Sequence, residues 1–272
     1  MIFINGLRVR VGNEFVNGAK VTLPPLSLNT VRVRTNDGEI PYRGINTRYE
    51  TATLVPGTTD IYDVYKSGTD FWNLLCGSTN VIEVIEANTT NIKSTNSMFW
   101  GCSSLISVPL FDTTNVTGMH GMFCDCASLT SVPLFDTSNN EAMSQMFKGC
   151  ISLTTVPQFD TSNVEDMEYM FSGCSSLSSV PLFNTPNVKW MRSMFYDCKS
   201  LTAIPLFDTS KVYYMNTMCY GCTNVQTGAL ALYNQASTQT TPPAEHSATF
   251  RDCGKDTQTG SAELRQIRWD WK

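Results

Sequence analysis

Apolar residues recur along the chain with a period of 24. Methionines stand at six positions 24 residues apart, from Met98 to Met218, and a cysteine follows each of them four positions later. Five prolines and five phenylalanines keep the same step, beginning with Pro109 and Phe111. So many columns in register are typical of a solenoid, in which each repeat stacks on the next.

The first part of each repeat predicts a strand. Leu105, Val108 and Leu110 have the apolar spacing of a leucine-rich repeat, which indicates a short parallel strand. Because the column of Leu110 also holds Gln158, we place that column towards solvent and the column of Phe111 inside. This placement breaks strict alternation and therefore requires a bulge or kink near the proline. The proline has no N–H to donate, so the strands must be very short.

The second part of each repeat predicts a short helix. Met119, Met122, Phe123 and Cys126 fall at i, i+3, i+4 and i+7, which is one face of a helix. The column of Asp125, in which most members are glycines, suits the left-handed conformation that ends a helix. The predicted fold class is therefore an α/β repeat solenoid, leucine-rich-repeat-like, with one short parallel strand plus one short helix per 24-residue coil and a small N-terminal β cap.

The regular repeat occupies only part of the chain. We predict a small β-rich N-terminal domain or cap, a degenerate first repeat, the solenoid itself, and a modified last coil with a C-terminal cap. Their predicted bounds are residues 1–70, 71–97, 98–222 and 223–272, respectively.

The two ends carry their own local signals. Alternating residues predict half-buried strands at 7–11 and 31–34, and Asn36-Asp37-Gly38 predicts a hairpin turn. Near the C-terminus, residues 228–234 predict a short helix. Residues 250–253 repeat the pattern of the regular coils, and a final helix is expected to follow them.

Composition and charge exclude several classes of function. Charged residues make up 16% of the chain and the net charge is −5, so there is no overall basic field that would hold nucleic acid. The apolar runs are too short to span a bilayer, and the N-terminus lacks the pattern of a signal peptide. The chain has two histidines and no phosphate loop, zinc-protease motif or nucleophile elbow. We therefore predict no enzymatic activity, no cofactor and no metal.

Two polar columns leave alternatives open. The cysteine ladder predicts buried, reduced core side chains, although stacked coils would also bring the thiols within reach of a disulfide. Zinc is disfavoured because no second cysteine pair with ligand spacing accompanies histidines. The aspartate column predicts turn caps, although stacked carboxylates could bind calcium. The two columns are Cys102, Cys126, Cys150, Cys174, Cys198 and Cys222, and Asp112, Asp136, Asp160, Asn184 and Asp208.

The repeat resembles that of the BspA-like leucine-rich-repeat surface proteins of bacteria. The motif F-D-T-S-N-V-x-x-M-x-x-M-F-x-x-C-x-x-L is present almost whole at residues 159–177, and the resemblance covers about residues 75–225. It implies an extracellular adhesion or interaction module, and similar arrays occur in phage and prophage proteins. Since no signal peptide is visible, a phage tail or head appendage is expected as readily as a bacterial cell-surface protein.

Columns that vary between repeats predict the binding surface. In the last coils they become aromatic, and one period separates Trp190 from Tyr214 and Tyr196 from Tyr220, which sets each pair about 5 Å apart. Exposed aromatic clusters usually mark contact with a partner or a sugar ring. The alternative is that residues 223–272 fold back and cover the rings. The candidate binding residues are Tyr169, Trp190, Tyr196, Tyr213, Tyr214 and Tyr220.

Together these patterns predict a non-enzymatic adhesion module displaying a repeat surface. It would be a phage virion or bacterial surface component that contacts a host-cell surface protein or glycan, or other virion proteins. The alternative is a purely structural or decorative virion protein without a ligand. Nucleic acid and membrane insertion are not expected, and a homo-oligomer through the N-terminal domain remains open.

Overall fold

The N-terminal part of the protein is built from antiparallel strands. The computed structural model describes residues 2–4, 7–9, 13–16, 19–42 and 46–272, with side chains from residue 23 onward. Two hairpins come first and four further strands form one sheet in the spatial order β6-β7-β5-β8. The strands are β1 (Ile2–Ile4), β2 (Leu7–Val9), β3 (Asn13–Val16), β4 (Ala19–Thr22), β5 (Thr30–Thr35), β6 (Thr51–Leu54), β7 (Ile61–Tyr65) and β8 (Val81–Asn88).

The strand predicted at 31–34 is confirmed as β5, which lies between β7 and β8. Its Arg32 does not face solvent as alternation predicted but is fully buried, with Nε 2.6 Å from Asp63 Oδ1 on β7 and Nη1 2.5 Å from Glu86 Oε1 on β8. A buried guanidinium is tolerated when carboxylates on both sides compensate its charge. Part of the other predicted strand is present as β2, and its residues 10 and 11 lie outside the described residues.

The predicted hairpin turn at Asn36-Asp37-Gly38 is wrong. β5 does not pair with the next strand along the chain, because β6 pairs with β7 instead. The segment begins a long connection, in which the N–H of Asn36 donates to the carbonyl of Asn80 at 3.0 Å. This bond ties the connection to the first coil, which also supplies β8 to the sheet.

At the predicted strand position, single parallel bridges join Glu83 to Ser107 and Ala203 to Thr227 near the two ends of the array, and the regular series of bridges lies at another position. Near the prolines the coils share few backbone bonds, such as Thr130 N to Ile106 O at 3.4 Å, and no regular ladder joins Val108 to Val132. Proline removes the donor that such a ladder needs. The regular series of parallel bridges connects a column 24 residues apart, comprising Asp70, Ser94, Gly118, Ala142, Asp166, Trp190 and Tyr214, and then Glu245.

The predicted helix in each coil is also wrong, although the residues predicted to face the core are buried. Two residues per coil have positive φ: the column of Asp125, where it was expected, and the column of Gly121, where it was not. A left-handed residue in the middle of the segment prevents α-helical hydrogen bonding. The segment instead makes consecutive turns, which still direct Met119, Met122 and Phe123 into the core.

Backbone N–H groups in these turns alternate between two kinds of partner. The N–H of Met122 donates to Met119 O within the coil, at 3.2 Å, whereas the N–H of Phe123 donates to Met146 O in the next coil, at 2.9 Å. The same alternation recurs from the coil of Phe71 to the coil of Cys219. The coils are therefore joined by a continuous hydrogen-bond ladder without regular helix or strand.

The kink predicted near the prolines is a γ-turn at Pro133, Pro157 and Pro205. The N–H of Phe135 donates to Pro133 O at 3.0 Å, and the same bond closes the turn from Pro157 to Phe159. The residue between them is pushed outward while the phenylalanine turns inward. Leu134 is 57% exposed and Phe135 is buried, which confirms the predicted placement of the two columns.

The core of the array consists of stacked ladders. Phe123 lies between Phe99 and Phe147, with ring centroids 5.5 and 5.7 Å away and nearly parallel planes. The predicted burial of the cysteine ladder is confirmed, and each of its thiols donates to a carbonyl of the preceding coil.

The aspartate column caps turns, as the first of the two alternatives predicted. Asp160 Oδ1 accepts from the backbone N–H of Ser162 at 3.0 Å and from its hydroxyl at 2.7 Å. These two donors lower the pKa of the Asp160 carboxyl, the backbone N–H more than the hydroxyl. Asp112, Asp136 and Asp208 also accept from the residue two positions later.

The C-terminal segment continues the array and then closes it. The N–H groups of Cys219 and Gly221 donate to Thr249 O and Arg251 O, so residues 245–251 form the last coil. The predicted short helix is confirmed as α1 (Ala229–Ser237), which contacts α2 (Gln258–Gln266). A 3₁₀ turn, Trp269–Trp271, follows, and Trp271 lies in the core beside Phe250.

Candidate functional site

The candidate site lies on the turn segments of the last coils. Trp190 and Tyr214 are neighbours in the column of parallel bridges, and Asp166 precedes them in the same column. Earlier members of this column are Gly118 and Ala142, so the backbone does not need a large side chain there. The ladder thus places the two aromatic residues on adjacent coils, as their spacing predicted.

A second pair of rings stacks closely. Tyr196 and Tyr220 have centroids 4.9 Å apart and an interplanar angle of 7°, which agrees with the spacing of one coil. The guanidinium carbon of Arg251, in the last coil, lies 5.6 Å from the centroid of Tyr220. The two rings therefore stack across adjacent coils, and a guanidinium lies over the ring at the C-terminal end of the stack. The cation and the ring electrons attract each other.

Cations also accompany the other rings. Tyr169 has Lys148 Nζ at 5.4 Å and Arg192 Cζ at 5.7 Å from its centroid. Lys189 Nζ lies 5.7 Å from the ring centroid of Trp190 and pairs with Glu165 at 2.8 Å. These contacts place cationic groups over the ring faces, where the ring electrons attract the positive charge.

Trp190 and Tyr214 border a shallow groove of about 360 Å³. Asp166, Glu168 and Arg192 complete its lining. Partial burial and the neighbouring Asp166 raise the pKa of the Glu168 carboxyl, and the Arg192 guanidinium opposes that shift. The groove thus combines two ring faces with hydrogen-bonding groups of both charges, a combination that suits a ligand with apolar and polar faces.

The six candidate rings differ in exposure. Tyr213 is 61% exposed and Tyr214 is 42% exposed, while the remaining four are half-buried by their neighbours. Residues 245–251 extend the array beyond Tyr214 rather than covering it. Tyr213 belongs to the adjacent column, and among the described residues no ring contact joins it to the other five candidates.

Charged residues of this surface were not among the sequence-based candidates. Lys148, Arg192 and Arg251 contact the rings, and Asp166 and Glu168 line the groove. Four of these five lie in the variable columns and could have been found by counting 24 residues along the chain. Arg251 could not, because the last coil follows after a longer insertion.

A second groove, of about 790 Å³, runs along a neighbouring set of columns and is lined by asparagine, threonine and glutamate residues. Its asparagines serve the fold, because each amide nitrogen donates to a carbonyl of the preceding coil, as in Asn139 Nδ2 to Thr114 O at 2.8 Å. In the described part of the chain, no three His, Cys, Asp or Glu side chains are grouped in a way that could hold a metal ion.

One of the two histidines, His120, is half-buried between coils. His120 Nδ1 is 2.7 Å from the hydroxyl of Ser144, one coil further on, and its ring lies 6.4 Å from that of Trp100. Ser144 is itself buried. The pair therefore acts as a link between coils and offers no accessible nucleophile.

Comparisons with known proteins indicate a family for the repeats. The family model described as "Mycoplasma protein of unknown function, DUF285" matches residues 69–155 and 130–232. No curated protein matches the chain significantly. None of the helices found in the described residues is long and apolar enough to cross a membrane.

Three solved leucine-rich-repeat proteins are similar in structure. One from T. pallidum is 23% identical, with a TM-score of 0.46, and the match covers 65% of this chain and 77% of that protein. One from Eubacterium ventriosum is 22% identical, with a TM-score of 0.38 and coverages of 54% and 41%. One from Bacteroides ovatus is 16% identical, with a TM-score of 0.26 and coverages of 85% and 91%.

Proposed function

Because this chain belongs to the DUF285 family and its 24-residue repeat is of the BspA-like leucine-rich-repeat type, we propose that it is a non-enzymatic binding module. Its ligand is a host-cell surface protein or glycan, and the module is carried by a phage virion or a bacterial surface. The aromatic surface of the last coils makes the contact.

One observation carries this proposal: large aromatic side chains of the last coils occupy columns in which an earlier coil holds a small residue. Ala142 precedes Trp190 by two coils in one column, and Ser172 precedes Tyr196 by one coil in another. The coils of Ala142 and Ser172 stack with the same hydrogen bonds as the later ones. The rings are therefore dispensable for stacking, and partly exposed rings that the fold does not require favour a role in recognition.

The groove geometry supports a polar ligand with at least one apolar face. Ring faces at Trp190 and Tyr214 supply apolar contact, while Asp166, Glu168 and Arg192 supply donors and acceptors at its floor and rim. Sugar rings and peptide segments both present this combination. A spacer or decoration protein would need neither the rings nor the groove.

The proposal is tested with fluorescently labelled full-length protein on a panel of intact bacterial cells. We expect saturable binding by the wild type and at least tenfold weaker binding by Tyr196→Ser/Tyr220→Ser. Serine already occupies this column at position 172, so the variant should fold. Ile151→Gln, at an exposed residue outside this surface, serves as the control and should bind like the wild type. Equal binding by the tyrosine variant, or no saturable binding by the wild type, would favour the structural alternative.

A further inference from the structure

A row of exposed leucines runs along the opposite part of each coil, beside the γ-turns. Its four leucines are 51 to 60% exposed in the described structure, and Gln158 occupies the central position. Half-exposed prolines and valines of the same coils widen the row into an apolar stripe. We call this surface the leucine stripe; its members are Leu110, Leu134, Gln158, Leu182 and Leu206.

The stripe is larger than the fold requires. Gln158 shows that a polar side chain is accepted in the column, because the Phe159 beneath it is still buried and the γ-turn is still made. Leucine nevertheless occupies the other four positions, which makes two exposed leucine pairs, one on each side of Gln158, along a row about 20 Å long at roughly 5 Å per coil. Exposed apolar side chains clustered in this way favour an interaction site.

A row of negative charge accompanies the stripe. Leu134 and Asp136 flank the buried Phe135, so both project from the outer side of the coil, and the same holds for Leu206 and Asp208. The capping bonds at Asp136 and Asp208 are made by Oδ1, so the second carboxylate oxygen takes no part in the cap. An apolar row with an acidic row alongside is complementary to a partner that carries apolar and basic rows.

The spacing of the stripe matches the pitch of an α-helix. Coils follow one another at about 5 Å, and a helix advances 5.4 Å per turn, so apolar residues spaced one turn apart can contact successive leucines. A helix of about 14 residues would cover the full stripe. Helices that dock in this way present anchors at i, i+3 or i+4, and i+7.

We propose that the leucine stripe is a docking site for a basic amphipathic α-helix of a partner protein. The helix lies along the array, with its apolar residues on the leucines and its lysines or arginines beside the aspartates. Gln158 faces the middle of the helix, where a polar side chain would set its register. A second copy of this chain is a poorer occupant, because antiparallel pairing of two stripes would bring their aspartate rows together.

Three synthetic 14-residue peptides test the proposal against the full-length protein. The first carries leucine once per turn with lysine along one flank, the second has glutamate in place of lysine, and the third is a scramble of the first. We expect the first peptide to bind at least tenfold more tightly than the other two, with an affinity that falls as salt is added. Equal affinity for the scrambled or acidic peptide, or no binding of the first, would overturn the proposal.

Two double variants test whether the peptide binds at the leucine stripe. Leu134→Gln/Leu182→Gln and Asp136→Asn/Asp160→Asn introduce residues that the same columns already hold at Gln158 and Asn184, so both should fold. Each should weaken binding of the lysine peptide at least fivefold, whereas Ile151→Gln should leave it unchanged. Unchanged binding in either double variant would contradict the site. A wild-type dimer in sedimentation that the leucine variant abolishes would assign the stripe to self-association instead.

Discussion

Cys150 donates its thiol hydrogen to the backbone carbonyl of Phe123, 27 residues earlier in the chain, with Sγ 3.0 Å from the oxygen. The ladder cysteines before and after it make the same contact. The cysteine column therefore does more than fill the core, since each thiol is a second donor to a carbonyl of the coil before it, which also accepts a backbone N–H within its own coil. This bond favours the reduced state that the sequence predicted.

The buried thiols should make the fold sensitive to alkaline pH. Burial raises the pKa of Cys150 and of the other ladder thiols above their ordinary value, so they stay protonated in the folded chain. In the unfolded chain they release protons from about pH 8.5. The unfolded state then binds fewer protons than the folded one, and the free energy of unfolding falls as pH rises, by at most about 1.4 kcal/mol per pH unit for each thiol, a slope reached only above the pKa of the unfolded thiol.

Urea denaturation at pH 8.5 and 9.5 measures this effect. Cys150→Ala is the matched control. Between the two pH values its free energy of unfolding should fall less than that of the wild type, and the difference is the contribution of the one missing thiol. Iodoacetamide at pH 8 should label the ladder cysteines only after denaturation. Equal stability at the two pH values, or native protein whose ladder cysteines are already paired, would contradict the account.

The Asp-Thr-Ser-Asn turns should contribute to stability through threonine. Thr137 Oγ1 donates to Asp160 O in the next coil at 2.8 Å, and Thr113 and Thr185 make the equivalent bond. Thr137→Val keeps the shape but leaves the carbonyl without its donor, so we expect a loss of about 1 to 2 kcal/mol in the free energy of unfolding. Thr137→Ser retains the hydroxyl and should lose less. Wild-type stability in the valine variant would show that the bond contributes nothing.

The unexpected left-handed residues can be tested at Gln145, where φ is 58°. Gly121 holds the equivalent position one coil earlier, so glycine is compatible with the turn. Because a left-handed residue other than glycine is strained, Gln145→Gly should raise the free energy of unfolding by up to about 1 kcal/mol. Gln145→Ala removes the same side chain without relieving the strain and should give no gain. A less stable glycine variant would indicate an ordinary helix in solution.

The sequence was sufficient to predict the repeat, the inward columns and the kink near the prolines. The 24-residue period identifies equivalent positions directly. The presence of Gln158 in the column of Leu110 was enough to predict that this column faces solvent. The sequence was not sufficient for the local conformation, because Met119, Met122, Phe123 and Cys126 have helical spacing but lie in consecutive turns. Gln145 and Tyr169 have positive φ, a conformation that neither residue type predicts.

The repeat predicted the stacking of Tyr196 on Tyr220, but it did not predict which cations contact the rings. One period relates Tyr196 to Tyr220, so their stacking follows from coil spacing. The cations that lie over the rings depend on side-chain conformation and on the longer insertion before Arg251. Likewise, the alternation of residues 31–34 predicts that Arg32 faces solvent. The carboxylates of Asp63 and Glu86 reach it only because β5 lies between β7 and β8 in the sheet.

Cell binding and melting temperature, measured together for Trp190→Ala/Tyr214→Ala, test the central claim most directly. Alanine occupies the same column at position 142, so we expect a melting temperature within about 2 °C of the wild type. Binding to host cells should fall at least tenfold, while Leu134→Gln/Leu182→Gln, on the other surface, should bind those cells normally. Undiminished cell binding by the Trp190→Ala/Tyr214→Ala protein would contradict the claim that the aromatic surface recognises the host.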